Sequence, residues 1–259
     1  MVDSKVNCFI QCRLSSSRLP QKALLDLNGA NVIERVYERV CLAKSIDNVI
    51  VIIPDNEPEL TEFLLNAGIP FFKGSPDDLV NRYYEASKIF PSENIVRITA
   101  DCPFIDPAVI DEVIEVHVVN KNDFTTNAWI GQETFPDGMD CAVITKKMIK
   151  YLEDHTLDKT DREHVVTYIM ANKEFYKTQH IKSVVNYNEY RLTLDYIEDY
   201  FVLSQLAGEL FSNDQIFTDY YYGTKVNDFS MTRIIDILSE NPILKNMNSM
   251  HKRNGAINE

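Results

Sequence analysis

Val49-Ile50-Val51-Ile52-Ile53-Pro54-Asp55-Asn56-Glu57-Pro58 decides the fold. A β-branched apolar run stops at a turn, and Glu57-Pro58 then opens a helix carrying Leu60, Phe63, Leu64 and Ala67 up to Gly68. A continuous apolar run of this length is a strand buried on both faces, and the helix after it is the crossover of a parallel sheet. Outward from it the same pattern repeats. Residues 6–10 (VNCFI) read as a strand before it, followed by a polar, basic loop over 12–28 and a helix capped by Asn31 with Val32, Ile33, Val36 and Val40 at helical spacing. Residues 70–72 read as a third strand, Asp77 begins a helix, residues 94–99 (NIVRIT) are a fourth strand, and Pro107 opens a helix to 119. The order βαβαβαβα predicts a three-layer α/β sandwich on a mostly parallel sheet. Ligands of such sheets bind beyond the carboxyl ends of the strands, which directs attention to the loops after the first and fourth.

The second half is less regular. Residues 123–126, 141–145 and 190–195 read as strands, and 146–153, 161–171 and 198–211 as helices. One domain over residues 1–241 is expected, with an inserted arm at about 125–185, followed by a polar, loosely ordered tail over 242–259. Tyr220-Tyr221-Tyr222 reads as core or interface packing.

The 259 residues are 45% apolar and 25% charged, an ordinary globular composition that excludes collagen-like and low-complexity chains. The longest apolar runs fall far short of the roughly 20 residues of a membrane span, and the N-terminus has no signal-peptide design, so the cytoplasm is expected. The net charge of −13 argues against nucleic-acid binding but leaves room for a basic pocket that takes a mononucleotide. The five cysteines are scattered without a CxxC, so they read as small buried residues rather than zinc ligands or disulfides.

Positive charge converges in Gln11-Cys12-Arg13-Leu14-Ser15-Ser16-Ser17-Arg18-Leu19-Pro20-Gln21-Lys22, just beyond the first strand. No glycine-rich phosphate cradle is present. Two arginine forks and a lysine can bind phosphate oxygens instead, although a solvated surface loop has the same composition. As a motif, R-x-x-S-x-R-L-P-x-K resembles the N-terminal signature of the nucleotide-activating enzymes related to CMP-KDO synthetase and acylneuraminate cytidylyltransferase. Gln21 departs from the usual Gly and Cys12 from the usual Ala. Gly74-Ser75-Pro76-Asp77-Asp78-Leu79-Val80-Asn81-Arg82-Tyr83-Tyr84 and Val96-Arg97-Ile98-Thr99-Ala100-Asp101-Cys102-Pro103 are similar to two further segments of that family. Arg162-Glu163-His164-Val165 and Arg191-Leu192-Thr193-Leu194-Asp195, with Glu198 and Asp199, resemble its branch of spore coat polysaccharide biosynthesis proteins, the SpsF group. The resemblance spans about residues 5–215.

The resemblance implies a GT-A nucleotide-diphospho-sugar transferase-like fold, a homodimer joined through the arm, and transfer of CMP from CTP to a sugar-acid-like acceptor. It makes Arg13, Lys22 and Asp101 catalytic, and Asp101 and Asp195 the ligands of Mg²⁺. Arg13, Ser16, Arg18, Lys22, Ser75, Asp78, Arg82 and Arg97 become nucleotide contacts, and Asp140, His164 and Arg191 acceptor contacts. Several readings stay open. Asp78 and Arg82, four apart, suit a base pocket or an ordinary helical ion pair. Arg97, in a buried strand, faces either the site or an acidic partner. Glu198 and Asp199 read best as helix caps. His164 is structural or touches acceptor or a second subunit. Ala142 stands where the SpsF pattern carries Glu, so one acceptor contact is in doubt. Two other functions remain open. A glycosyltransferase would need a D-x-D, and Asp137-Gly138-Met139-Asp140 is D-x-x-D. A non-catalytic nucleotide-binding protein would not need the basic loop together with both carboxylates.

Overall fold

The computed structural model describes residues 4–211 and 229–253. Tyr220, Tyr221 and Tyr222 lie outside them. Seven strands form one sheet in the order β3-β2-β1-β4-β6-β5-β7. They are β1 (Val6–Gln11), β2 (Asn48–Pro54), β3 (Phe71–Gly74), β4 (Asn94–Thr99), β5 (Phe124–Thr126), β6 (Ala142–Thr145) and β7 (Thr178–His180). β6 alone runs against its neighbours, β4 and β5. The chain winds from β1 to β3 on one side and then crosses to β4 on the other, so the crevice between β1 and β4 is the topological switch point.

Alternation along the strands builds two cores. Val6, Cys8 and Ile10 face one side, packed by α1 (Val32–Cys41), α2 (Pro58–Asn66), α4 (Pro107–Asn120), α8 (Ile197–Phe211) and α9 (Met231–Glu240). Phe9, Ile50 and Ile95 face the other, packed by α3 (Leu79–Ile89), α5 (Lys146–His155) and α7 (Thr167–Ala171). This is the expected three-layer α/β arrangement. Asn31 caps α1 in a capping box with Glu34, and Asp106 caps α4 by accepting from the Ala108 amide at 2.8 Å. The stretch 125–185 holds α5, α6 (Lys159–His164) and α7, and also supplies β6 and β7 to the sheet. All five cysteines are free, and all but Cys41 are buried. No helix among the described residues is long and apolar enough to cross a membrane.

Three expectations are corrected. The helix over 161–171 is two short ones, α6 (Lys159–His164) and α7, because Val165 takes a left-handed φ of 64°. Residues 190–195 are not a strand of the sheet, since their only ladder contact is the isolated bridge of Arg191 with Asp137. The start of the polar tail is ordered: it forms α10 (Pro242–Asn246), and it then buries Asn248.

Gly138 sets how closely the 137–140 turn meets the 190–195 segment. Its φ is +99°, and a Cβ there would stand 2.5 Å from the Leu192 carbonyl carbon. Gly138→Ala is therefore expected to cost about 2 kcal/mol or more in urea unfolding, from overlap and left-handed strain together. Gly131→Ala, at φ +77° with open space around it, is expected to show only the smaller left-handed cost. Equal losses would show that the close approach is not a constraint.

His117 on α4 is buried between Thr125 Oγ1 at 3.0 Å and Asn94 Oδ1 at 3.1 Å. Burial pushes its imidazole down from 6.5 to about 4, against a weak opposing pull from Asp123. The fold thus holds the neutral ring, while the unfolded chain takes the proton first as pH falls. Stability present at neutral pH is lost between about 6.5 and 4. Relative to His117→Gln, the native chain is expected to lose about 2 kcal/mol more between pH 7 and pH 5. Parallel slopes for the two would contradict this.

Candidate active site

A cleft of about 550 Å³ opens at the switch point. The loop after β1 forms one wall, with Arg13, Ser16, Arg18 and Lys22 on it. Backbone geometry shapes that loop. The Leu14 amide donates to half-buried Glu57 Oε1 at 2.9 Å, Ser16 Oγ accepts from the Leu19 amide, and Gln21 turns the chain at φ 55°. The left-handed turn accounts for the usual Gly at that position, and the Gln21 side chain is directed to Glu59 at 3.0 Å.

The opposite wall carries Asp101, just beyond β4, and Asp195. Leu194 N donates to the Asp101 carbonyl at 2.9 Å and Leu192 N to the Asp137 carbonyl at 2.6 Å. Those bonds bring Asp195 alongside Asp101 although 190–195 is not a strand. Lys22 Nζ bridges the two carboxylates, at 2.7 Å from Asp101 Oδ2 and 2.9 Å from Asp195 Oδ1. Burial alone would raise the Asp101 carboxyl, but the Lys22 charge and hydrogen bond hold it well below the usual carboxylate range. Burial likewise works against the Lys22 ammonium, and the two carboxylates overcome it and push it up. Arg18 reaches over from the loop as well, with Nη2 at 2.8 Å from Asp195 Oδ1 and Nη1 donating to the Tyr196 hydroxyl at 3.3 Å.

Behind Asp195 lies Arg191, only 7% exposed. Its guanidinium meets Asp137 at 2.6 Å, Asp195 at 3.2 Å and Asp199 at 2.8 Å. Fully buried Asp199 also accepts from the Asp195 and Tyr196 amides, which is its expected capping role at α8, and from Asn248 Nδ2. Arg191 is thus a positioning residue outside the cleft lining, a correction to its expected contact with the acceptor. Asp140 does line the cleft. Arg253 Nη2 donates to it, and the Arg253 Nη1 donates to the Phe135 carbonyl at 2.8 Å. His164 and Arg97 also line the cleft. Burial lowers the His164 imidazole below its ordinary value, so the ring is neutral at pH 7. Arg13 is exposed and touches Glu163 at 3.4 Å.

The structure separates Ser75, Asp78 and Arg82 from the cleft lining. Asp78 and Arg82 do not form the helical ion pair with each other. Buried Arg82 donates to the Ser75 carbonyl at 2.9 Å and the Pro76 carbonyl at 3.2 Å, and Asp78 caps α3 and pairs with Arg162 at 2.6 Å. A buried guanidinium is satisfied by the carbonyls its own turn presents, which spacing along a helix does not reveal. Sequence reasoning passed over Glu57, Asp137 and Arg253. Asp137 was in view in the turn it shares with Asp140, but Arg253 reaches Asp140 from 113 positions away and leaves no local signal.

Among the described residues no group of three or more His, Cys, Asp or Glu is placed to hold a metal. Asp101 and Asp195 nonetheless fit a hard divalent cation. Both already share one positive charge, and Mg²⁺ is commonly held by one or two carboxylates plus phosphate oxygens and water. A basic loop facing paired carboxylates at the switch point of a parallel sheet can hold a polyphosphate with such a cation.

That chemistry is the one a nucleotidyltransferase needs. The family model described as cytidylyltransferase matches residues 7–221, and the chain belongs to that family. It is 28% identical over 249 residues to the spore coat polysaccharide biosynthesis protein SpsF of Bacillus subtilis (strain 168), covering 90% of this chain and 94% of that protein. A solved cytidylyltransferase from Leptospira borgpetersenii serovar Hardjo-bovis is 30% identical, with a TM-score of 0.83 over 96% of this chain and all of that one. CMP:2-keto-3-deoxy-manno-octonic acid synthetase, solved in complex with CTP, shares the fold at a TM-score of 0.64 and 14% identity, covering 80% of this chain and 99% of that one.

Arg191→Leu is expected to cost about 3–5 kcal/mol in urea unfolding, because it strands Asp137, Asp195 and Asp199 without their shared partner. Arg13→Gln, which removes only an exposed pair, is expected to cost less than about 1 kcal/mol. Similar losses for the two variants would contradict the positioning role.

Proposed function

We propose that this chain transfers CMP from CTP to a sugar-acid-like acceptor and releases pyrophosphate. The activated product would feed cell-surface polysaccharide synthesis in the cytoplasm, and the enzyme would work as a homodimer. The observation that carries the reading is the Lys22 ammonium shared by Asp101 and Asp195, with Arg18 bound to the same carboxylate. Positive and negative groups there stand ready to exchange each other for a triphosphate and its cation.

In this account the acceptor oxygen forms a bond to the α-phosphorus as the bond to the β-phosphate oxygen breaks. Arg13, Arg18 and Lys22 bind the triphosphate and offset the charge that develops on the leaving pyrophosphate. Asp101 and Asp195 would hold Mg²⁺. When bound, that ion neutralises phosphate charge and orients the α-phosphate. Ser16 shapes the basic loop, while Asp140 and the neutral His164 face the acceptor. Arg191 fixes Asp195 and lets the site keep its geometry without rearrangement. Most of the rate then comes from positioning and charge, and no protein nucleophile is required.

Pyrophosphate release with Mg²⁺, scanned over four nucleoside triphosphates and a panel of sugar acids, neutral sugars and phosphonates, tests this. Release with CTP and one acidic acceptor is expected, falling by about 100-fold or more in Asp101→Asn. Transfer from a sugar nucleotide with no pyrophosphate release would overturn the reading in favour of a glycosyltransferase.

A further inference from the structure

We infer that Arg97, in the space left open by Ala142, is the receptor for a carboxylate of the acceptor and sets which acceptor this chain takes. The inference rests on the nucleotidyl-transfer reading above. Arg97 of β4 and Ala142 of β6 stand directly opposite each other in an antiparallel ladder. Residues so paired have Cβ atoms about 4.5–5.5 Å apart on one face of the sheet. Both line the cleft, and Ala142 presents only a methyl group at the ladder position opposite Arg97.

Arg97 makes no hydrogen bond or ion pair among the described residues, and its Nε is buried without a partner. The other cations at the cleft are engaged: Arg18 and Lys22 with Asp195, Arg253 with Asp140 and Arg13 with Glu163. Asp140 is close enough for its charge to be felt by Arg97, but it is held by Arg253. A partly buried guanidinium with an unused N–H is costly unless something anionic arrives to meet it. Its planar fork matches a carboxylate in two-point contact. Ala142 of β6 and His164, Val166 and Met170 of the α6–α7 stretch line the same cleft, and His164 is near enough to feel the Arg97 charge.

Two measurements decide this. The first needs no turnover. Ala142→Glu supplies an internal carboxylate opposite Arg97, and it is expected to raise the thermal midpoint by about 2–4 °C. The gain should vanish in the Arg97→Gln background, as a double-mutant cycle requires. Absence of that coupling overturns the inference. Coupling together with no pyrophosphate release from any acceptor leaves the anion receptor standing and overturns the cytidylyl-transfer reading instead. The second uses the acceptor found in the pyrophosphate screen, supplied as the acid and as its methyl ester. Arg97→Gln is expected to raise KM for the acid by about tenfold or more, with the ester KM and the calorimetric Kd for CTP changing less than about twofold. Equal losses for acid and ester, or weakened CTP binding, would place Arg97 elsewhere in the mechanism.

Discussion

The buried Arg191 guanidinium is the point on which the site turns. It holds Asp137, Asp195 and Asp199 at once, and these come from the turn before β6, the 190–195 segment and the start of α8. Burying an uncompensated carboxylate is costly, and here one buried guanidinium serves all three. Because they share one fork, the three segments are locked together. Asn248 reaches the same cluster from the C-terminal side, donating to the Arg191 carbonyl and to Asp199. Asp195 is thereby fixed beside Asp101, although no strand carries it there.

The cleft is built on that frame by opposite charge. Arg18 and Lys22 lean onto Asp195 and Asp101, so in the absence of ligand the basic loop and the carboxylates neutralise each other. A net charge of −13 and a basic pocket are compatible for this reason. The positive groups are local and held by acidic partners whose place phosphate oxygens can take. Among the described residues lining the cleft, Arg97 is the exception to this pairing.

Much of the fold was legible in the sequence because it is written in local pattern. Continuous apolar runs gave β1, β2 and β4, and Pro58, Asp106-Pro107 and Asn31 marked where helices begin. Asp101 and the 11–22 loop followed from their places just after strands. What escaped reading depends on distant partners. β7 is a short strand of polar residues, Thr178–His180, recruited by β5. The RLTLD stretch looks like a strand by alternation, but its amides bond to Asp137 and Asp101 carbonyls rather than to a ladder. Asp78 and Arg82 sit at helical spacing and still choose other partners, because capping α3 and satisfying the Ser75 turn have prior claim. Arg253 lies in a tail whose polarity suggests disorder, and it is held there by Asp140 and the Phe135 carbonyl.

The central claim is that the Lys22–Asp101–Asp195 triad is the seat of a triphosphate and its cation. A structure determined with CTP and Mg²⁺ tests it most directly. The account predicts the triphosphate between the 11–22 loop and the two carboxylates, with Lys22 Nζ moved from its shared position onto a phosphate oxygen. A nucleotide bound elsewhere, with Lys22 still bridging Asp101 and Asp195, would contradict it.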